Sequence, residues 1–378
     1  MERQDRQTIA ADPLIAQPRY SAVSVLNLPA IETDALIVGA GPAGLFQVFQ
    51  LGLLEISSHV VDALPYQGGQ CVELYGDKPI YDIPSVPVCT GRELIANLQV
   101  QIAPFNTPFH LGQVVTELAR QADNRFLVTT SGGQHFLART VVIAAGVGAF
   151  QPKTLHVAGL EPFVGKQLFY RVDDAQPFAG QHVLINGDND NALEWALRLC
   201  PAHADGNPFK AKSVTLLHRR DVLGAAPAAV AQFRELVAQG HITFVIGQIT
   251  GVETSDAALQ AVQVTQPDAT VISVSLDALL VLQGLSPKLG PIAHWGLSME
   301  RRQLLVDTET FSTSEPGIFA VGDINTYPGK KKLILCAFHE CVLAAFGAAA
   351  LIKPNQKLLL EYTTTSSRLH KVLGKVAI

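Results

Sequence analysis

Short apolar runs that end in small residues recur along the chain. Runs of this length, rich in Val, Ile and Ala, are typical of parallel strands that are buried on both faces. An apolar helical pattern follows the first run. The pattern predicts an α/β fold of Rossmann-like, three-layer units. The three clearest runs are 35–38, 140–143 and 318–321, which lead into Gly39, Ala144 and Gly322.

The turn after the first run has the spacing of a dinucleotide-binding fingerprint. In Gly-x-Gly-x-x-Gly, the first glycine permits a tight turn, the second lets a pyrophosphate approach the backbone, and the third lets helix and strand pack closely. An acid about 20 residues further on ends the next strand, where a carboxylate binds a ribose hydroxyl. A dinucleotide is therefore expected at the helix N-terminus. The candidate residues are Gly39, Gly41, Pro42, Ala43, Gly44 and Asp62.

A second strand–turn–helix pattern is inserted between the second and third runs. Residues 182–186 form an apolar strand, a turn starts at Gly187, and the strand at 213–217 ends in His218, Arg219 and Arg220. An NAD site carries an acid at the end of that second strand, whereas guanidinium groups there suit the 2′-phosphate of NADP. The pattern predicts a second Rossmann-like domain, inserted in the first, that binds NADP(H).

Glycine- and proline-rich segments near 148–152 and 284–290 indicate where the chain leaves the first domain and returns to it. We expect an N-terminal extension over 1–32. The first, discontinuous dinucleotide-binding domain is expected to comprise 33–150 and 287–378, and the inserted domain 151–286.

Composition narrows the function classes. The 378 residues are 48% hydrophobic and 16% charged, with a formal net charge of -5, which is typical of a globular chain of about two domains. The basic run Lys330-Lys331-Lys332 is expected to be a solvated loop, and no other basic run follows a phosphate backbone. Nucleic acid is therefore not an expected partner.

Three further features bear on the compartment. The N-terminal segment is charged from its second residue and has no apolar core of the kind that a secretory signal has. The apolar run 342–352 is shorter than the roughly 20 residues that span a bilayer, and it predicts a buried helix. The five cysteines form no Cys-x-x-Cys pair, and no Cys/His spacing predicts a metal site. We expect a cytoplasmic protein without a membrane partner.

Many separate segments, in order along nearly the whole chain, resemble the thioredoxin-reductase-like type of ferredoxin–NADP reductase. This is a bacterial family of flavoenzymes with two dinucleotide-binding domains. The segments that carry the resemblance are 64–65, 68–70, 74–75, 80–84, 146–150, 172–174, 218–221, 322–324, 338–340 and 362–367.

The resemblance implies an FAD-dependent oxidoreductase that passes electrons between NADPH and ferredoxin or flavodoxin, and that forms a homodimer. In such enzymes the cofactor carries the chemistry, so neither a catalytic side chain nor a metal is expected. Tyr75 would stack on one face of the flavin, and a C-terminal tail with Thr364 would cover the other face from the partner subunit. The other residues that would line FAD are Asp62, Gln70, Val115, Phe150 and Asp323.

The turn of the inserted domain departs from the family pattern. Gly187-Asp188-Asn189-Asp190-Asn191-Ala192 stands where Gly-Gly-Gly-Asp-Ser-Ala is usual. Asn189 is expected to adopt the positive φ of the missing glycine, because Asn tolerates that region well. The carboxylate of Asp188 would repel a pyrophosphate. Gly187, Asn189, Asp190 and Asn191 nevertheless stay candidate NADP-binding residues.

This departure leaves three functions open. The first is an NADPH-dependent reductase of ferredoxin or flavodoxin. The second is a flavoprotein of the same fold whose degraded NADPH site has given way to another electron donor or to a second nucleotide. The third is a non-enzymatic FAD-binding protein that acts through interaction. The basic end of the strand at His218 favours the first function, and Asp188 with Asn189 favours the second.

Overall fold

The computed structural model describes residues 29–255, 258–357 and 359–374. Most of the predicted N-terminal extension, residues 1–28, lies outside the described residues. The described chain divides into two compact units. The first comprises the described residues up to Ala149 and from Lys288 onward, and the second is Phe150–Pro287.

The helices of the described residues differ widely in length. The two longest in the first half of the chain have 12 residues each, and the longest near the C-terminus has 19. They are α1 (Pro42–Leu53), α2 (Gln70–Glu73), α3 (Gly91–Ile102), α4 (Asp190–Leu199), α5 (Pro227–Ala238), α6 (Ile334–Ile352) and α7 (Ser367–Val372).

The strands of the first unit come from both of its chain segments, and the segments β9 and β18 lie where the chain passes between the units. In chain order the strands are β1 (Ala30–Val38), β2 (Ser58–Val61), β3 (Pro79–Ile80), β4 (Cys89–Thr90), β5 (Phe109–His110), β6 (Val115–Arg120), β7 (Phe126–Thr130), β8 (His135–Ile143), β9 (Ala149–Pro152), β10 (Leu168–Phe169), β11 (His182–Asn186), β12 (Ser213–His218), β13 (Ile242–Ile246), β14 (Gln248–Ser255), β15 (Ala258–Thr265), β16 (Val271–Ser275), β17 (Ala278–Val281), β18 (Leu285–Lys288), β19 (Met299–Glu300), β20 (Gln303–Leu305), β21 (Ile318–Ala320) and β22 (Asn325–Thr326).

The main sheet of the first unit has the strand order β5-β2-β1-β8-β7-β6, and β21 also pairs with β8. Strands β5, β2, β1, β8 and β21 are parallel, whereas β7 and β6 are antiparallel additions. Side chains alternate between two cores: Ile37 and Val142 lie in one, and Leu36 and Val141 lie in the other. Burial on both faces explains why these strands are continuously apolar.

Helix α6 begins eight residues before the predicted apolar run, at Ile334. By length and composition alone it could cross a membrane. Nine of its residues are buried, however, and alanines such as Ala344 and Ala348 lie in the same core as Leu45 and Val48 of α1. Small side chains let the two helices approach closely, so the predicted buried helix is confirmed as part of this core.

The second unit contains a parallel sheet in the order β10-β17-β11-β12-β13 and an antiparallel sheet in the order β14-β15-β16. Helix α4 follows β11, and α5 precedes β13. Residues of one sheet again alternate between two cores, with Ile185 in the first and Leu184 in the second. Two units with parallel sheets and flanking helices, the second inserted in the first, confirm the fold class predicted from the sequence.

Candidate functional site

The first glycine turn keeps its shape because no side chain fits at two of its glycines. Gly39 has a φ of +114°, and a Cβ there would lie 2.4 Å from the carbonyl oxygen of Ala144. A Cβ on Gly44 would lie 1.8 Å from the carbonyl oxygen of Gly39. At Gly41, by contrast, the nearest atom to an added Cβ is 3.9 Å away. Packing therefore requires glycine at 39 and 44, whereas Gly41 leaves open space for a ligand.

Helix α1 starts next to this space without a side-chain cap. Its N-cap is Gly41, with φ -73° and ψ -176°, and Pro42 and Ala43 follow in the first turn. The free N–H groups of an uncapped first turn carry partial positive charge and bind anions. The turn therefore fits a pyrophosphate.

A second glycine turn lies against the first. The Gly68 N–H donates to the carbonyl oxygen of Ala40 at 2.9 Å. Gly69 has a φ of +52°, and a Cβ there would lie 3.1 Å from Cα of Gly41. The two turns meet through glycine backbone, and a side chain at either point would fill the space between them.

Asp62 follows β2 and holds both neighbouring turns. Its Oδ2 accepts a hydrogen bond from the Ala40 N–H at 2.5 Å, and its Oδ1 accepts one from the Leu64 N–H at 2.7 Å. Burial raises the pKa of Asp62, and the two backbone hydrogen bonds oppose that shift. Each carboxylate oxygen can accept a further hydrogen bond, so the geometry fits the predicted contact with a ribose hydroxyl.

Three of the residues predicted to line FAD lie close together. Gln70 Nε2 donates to Asp323 Oδ2 at 3.3 Å. A Cβ on Gly146, whose φ is +59°, would lie 3.0 Å from that same Nε2. The Tyr75 hydroxyl lies 3.5 Å from Cys71 Sγ. Burial raises the pKa of Tyr75, and the neighbouring Cys71 and Asp323 add to the shift. The structure thus brings Gln70, Tyr75 and Asp323 into one cluster.

A buried charged network supports the turn at Asp323. Glu340 is fully buried on α6, and its Oε2 accepts hydrogen bonds from the Gly322 N–H at 2.7 Å and Asn325 Nδ2 at 2.9 Å. Its Oε1 accepts from the Tyr327 hydroxyl at 3.0 Å and pairs with Lys330 Nζ. Lys330 also donates to the Gly322 carbonyl oxygen at 2.9 Å. The network fixes the backbone on both sides of Asp323.

Sequence reasoning missed this role. The run 330–332 was expected to be a solvated loop, and that expectation is wrong for Lys330, whose side chain is only 6% exposed. Lys331 and Lys332 are exposed, as expected. Glu340 was noted only as part of a family segment. The available signal was a glutamate in the middle of an apolar helix, because such a residue needs a buried partner.

The second unit has a cavity of about 450 Å³ at the carboxyl ends of β11 and β12. His218 Nε2 is buried there without a hydrogen-bond partner among the described residues, and Asp188 Oδ2 lies 3.6 Å away. Burial lowers the pKa of His218, Asp188 opposes the shift, and the charges of Arg219 and Arg220 add to it. An orphaned imidazole nitrogen beside a guanidinium suits a phosphate. The lining residues include Lys153, Asn186, Asp188, His218, Arg219 and Gln283.

The two predicted arginines differ in position. Both are exposed, but only Arg219 lines the cavity. Asp221, which follows them, pairs with Arg234 at the edge of α5. The structure therefore groups His218 and Arg219 with Asp188 and leaves Arg220 outside this group.

The turn before α4 corrects one expectation. Asn189 has φ -93° and ψ 177°, which is extended backbone, so it does not adopt the positive φ of a glycine. Its Oδ1 instead accepts from the Ala192 N–H at 3.0 Å, and its Nδ2 donates to the Leu282 carbonyl oxygen at 2.9 Å. A Cβ on Gly187 would lie 2.4 Å from that same oxygen. Asn189 is therefore a helix cap that braces the turn against the end of β17.

The neighbouring side chains hold or leave this turn. Asp190 Oδ1 accepts from the Ala226 N–H at 2.6 Å, which ties α4 to the start of α5. Asn191 is exposed. The side chain of Asn189 takes up the N-cap position of α4, and Asp188 points its carboxylate toward His218. The phosphate-binding capacity of this turn rests on the cavity side chains rather than on glycines.

The remaining predicted residues are dispersed. Val115 begins β6 and its side chain is buried in the core of the first unit. Phe150 is buried at the beginning of the second unit. Thr364 is exposed in a turn before α7, where the Thr365 N–H donates to the Tyr362 carbonyl oxygen at 3.1 Å. None of these three adds a side chain to the Gln70–Asp323 cluster.

The cysteines and acidic residues form no further redox or metal centre within the described ranges. Cys71, Cys89, Cys200, Cys336 and Cys341 are all free thiols. No group of three or more His, Cys, Asp or Glu side chains in the described residues could hold a metal ion. The chemistry of the chain must therefore be sought in its two nucleotide sites.

Residues 74–322 match the family of pyridine nucleotide-disulphide oxidoreductases. A protein named ferredoxin–NADP reductase from Albidiferax ferrireducens is 63% identical over 344 residues, which cover 91% of this chain and 96% of that protein. A second protein of that name, from Polaromonas naphthalenivorans, is 61% identical over 363 residues, which cover 96% of this chain and 98% of that protein.

Solved structures support the fold alone. A thioredoxin reductase from Lactococcus lactis has a TM-score of 0.54 at 23% identity, covering 85% of this chain and 99% of that one. A bacillithiol disulfide reductase from Staphylococcus aureus has a TM-score of 0.58 at 17% identity, covering 86% of this chain and all of that one. With the two nucleotide sites and the close relatives taken together, the chain belongs to the pyridine nucleotide-disulphide oxidoreductase family and, within it, to the ferredoxin–NADP reductases.

Proposed function

We propose that this protein is an FAD-dependent oxidoreductase that takes electrons from NADPH and passes them to ferredoxin or flavodoxin. One observation carries the proposal: a single chain contains an uncapped Gly39–Gly44 turn with Asp62, and a separate cavity that holds His218 and Arg219. The relatives named ferredoxin–NADP reductase support ferredoxin as the acceptor.

The first unit provides the groups that FAD requires. The N–H groups at the start of α1 would bind the pyrophosphate, and Asp62 would bind the adenosine ribose. Gln70 and Asp323 would contact the ribityl chain and flavin, and Tyr75 would stack on the ring. FAD, when bound, supplies the ability to accept a hydride and to release electrons one at a time. The protein's own task is to orient both nucleotides.

The second unit provides the groups that NADPH requires. Arg219 and His218 would bind the 2′-phosphate, since His218 Nε2 is buried and without a hydrogen-bond partner in the described part of the chain. Asn186 and Gln283, which hydrogen-bond to each other at the ends of β11 and β17, line the same cavity. Asp188 opposes the phosphate charge, so we expect binding to be weaker than in a site without this carboxylate.

A homodimer is part of the proposal. Arg368 of α7 donates to the Leu53 carbonyl oxygen, 3.4 Å away, at the far end of α1 from Gly41. Thr364 and Tyr362 lie in the exposed turn just before α7, and Tyr362 is 68% exposed. A tail that is anchored at this end, with its polar and aromatic side chains exposed, suits a role in covering the flavin of a second copy. We also place the protein in the cytoplasm, which the five free thiols support.

A second candidate function follows from Asp188. Its carboxylate lies 3.6 Å from His218 Nε2, in the position where a phosphate would be neutralised. A flavoprotein with this site could accept electrons from a donor other than NADPH. The two functions differ in whether NADPH reduces the flavin directly.

The arginine pair gives a matched test of the NADPH site. Arg219→Ala should lower kcat/KM for NADPH about 10–150-fold, because a charge-assisted hydrogen bond contributes about 1.5–3 kcal/mol. The NADH value should change little, since NADH has no 2′-phosphate. Arg220→Ala is the control, because it removes the same charge outside the cavity. Equal losses in the two variants, or equal losses with NADPH and NADH, would contradict the assignment.

A further inference from the structure

The turn between β19 and β20 contains two consecutive residues in the left-handed region. Arg301 has a φ of +46° and Arg302 a φ of +68°. The pairing of Met299 with Leu304 and of Glu300 with Gln303 limits the loop to these two residues. Two-residue hairpin loops with two positive φ angles strongly favour Asn-Gly. Residues held in such regions cost on the order of 1–3 kcal/mol each, so this turn keeps arginines at the expense of stability.

The two arginine side chains contribute little to folding. The Arg301 side chain is 91% exposed, and its one ion pair in the described residues is with Glu300 at 4.0 Å. Arg302 is exposed and has no hydrogen bond or ion pair with any described residue. An exposed pair at this distance contributes at most a fraction of a kcal/mol. The cationic side chains therefore need a role outside the folded chain itself.

The turn is attached to the backbone at Asp323. Gln303, directly after Arg302, donates through Nε2 to the carbonyl oxygens of Asp323 at 3.2 Å and Asn325 at 2.8 Å. On the other side, Lys330 Nζ donates to the carbonyl oxygen of Gly322 at 2.9 Å. The exposed Lys331 and Lys332 follow Lys330. Two pairs of exposed cations are thus each held, by an adjacent side chain, to the turn that carries Asp323.

We propose that Arg301, Arg302, Lys331 and Lys332 form a docking surface for an acidic one-electron carrier protein, and we call these four residues the basic hairpin surface. The proposal rests on the proposed function, since it locates where the acceptor binds. Opposite charges steer a carrier toward the residues that surround the flavin and raise its association rate. Glu300 is the acidic side chain at the turn itself, and it offsets one of the four charges.

The electron balance fixes the number of docking events. Oxidation of one NADPH to NADP⁺ releases two electrons and one proton. An iron–sulfur carrier accepts one electron, so two oxidised carriers must dock in succession for each NADPH. Because each carrier must also leave, a rim of exposed charges that speeds association suits this surface better than an extensive apolar interface.

The test replaces the strained turn by its favoured sequence. R301N/R302G should raise the thermal stability, because Asn-Gly adopts the two positive φ angles at low cost. The same variant should lower kcat/KM for an acidic [2Fe–2S] ferredoxin about tenfold or more at low ionic strength, and should flatten its salt dependence. Reduction of a neutral quinone by NADPH, and the KM for NADPH, should stay within about twofold of the parent.

Three controls separate charge from turn geometry. R301Q/R302Q should lose ferredoxin activity without a gain in stability, and R301K/R302K should keep the activity. Ala269→Gly relieves another left-handed residue, with φ +67°, and should raise stability without changing any rate. K166Q/K212Q removes two exposed positive charges of the second unit and should leave ferredoxin kinetics unchanged.

The outcomes distinguish this proposal from the proposed function. If the parent protein reduces neither the quinone nor ferredoxin with NADPH, the proposed function fails. If the parent reduces ferredoxin and R301N/R302G does so equally fast with the same salt dependence, the proposed function stands and the docking surface is overturned. Equal losses with quinone and ferredoxin would also overturn it, because they would show damage to the flavin site.

Discussion

Lys330→Met is expected to lower the free energy of unfolding of the first unit by about 3–5 kcal/mol. The ammonium of Lys330 is the positive charge that pairs with Glu340, a carboxylate with no solvent exposure. Removing it leaves the buried charge with hydrogen bonds from neutral donors alone. For a unit of this size the loss corresponds to a fall in melting temperature of about 6–20 °C.

Trp295 makes this measurable for the first unit by itself. It is buried in that unit, and the other tryptophan, Trp195, is buried in the second. Urea unfolding followed by fluorescence in a Trp195→Phe background therefore reports on the first unit. Lys331→Met, one residue along and exposed, is the matched control and should change stability by less than about 0.5 kcal/mol. The double variant K330M/E340Q should recover much of the loss, because no buried charge remains. Equal stability of Lys330→Met and Lys331→Met would show that the network contributes nothing.

Gly41→Ala should leave the apoprotein folded and lower its affinity for FAD by at least about tenfold, which is about 1.4 kcal/mol. The backbone at Gly41, φ -73° and ψ -176°, is open to alanine, and the nearest atom to the new Cβ is 3.9 Å away. A glycine-to-alanine change at such a position stabilises the fold by about 0.4–1 kcal/mol. The added methyl group would, however, occupy the space left for the pyrophosphate.

The measurement has two parts that move in opposite directions. The melting temperature of the apoprotein should be unchanged or slightly higher, and the flavin retained after gel filtration should fall. Gly44→Ala is the contrasting variant: its Cβ would lie 1.8 Å from the Gly39 carbonyl oxygen, so stability itself should fall. If Gly41→Ala retained FAD with the affinity of the parent, the pyrophosphate could not lie against this turn.

The parts of the site predicted best from the sequence are those set by local geometry. The spacing of Gly39, Gly41 and Gly44 between a strand and a helix determines a turn that no other residues could form, because two of the three positions exclude a Cβ. Asp62 is equally local, since its carboxylate bonds to Ala40 and Leu64 at the ends of adjacent elements. Such features depend on residues within one strand–turn–helix unit.

The parts that could not be predicted depend on contacts distant in sequence or on burial. Lys330 lies in a basic run, and only the position of Glu340 on α6 makes it a buried counter-ion. Asn189 has the composition of a turn residue. Its extended conformation follows from a hydrogen bond to Leu282, 93 residues away, and from its role as a cap for α4. Neither partner could be identified from the local pattern.

The Arg301–Arg302 turn shows a third kind of limit. Its sequence gives no turn signal, because arginine has no preference for left-handed backbone. The register of β19 with β20 and the hydrogen bonds of Gln303 impose the conformation. A local conflict between residue type and backbone is therefore visible only after folding, and such conflicts concentrate where function outweighs stability.

The most direct test of the account is anaerobic stopped-flow mixing of the FAD-loaded protein with NADPH, followed at the flavin absorbance near 450 nm. The account predicts that NADPH bleaches this absorbance in a single turnover, that NADH does so much more slowly, and that added ferredoxin then restores it. If dithionite bleaches the flavin but NADPH does not, the cavity at His218 and Arg219 is not a site for the electron donor, and the proposed function is wrong.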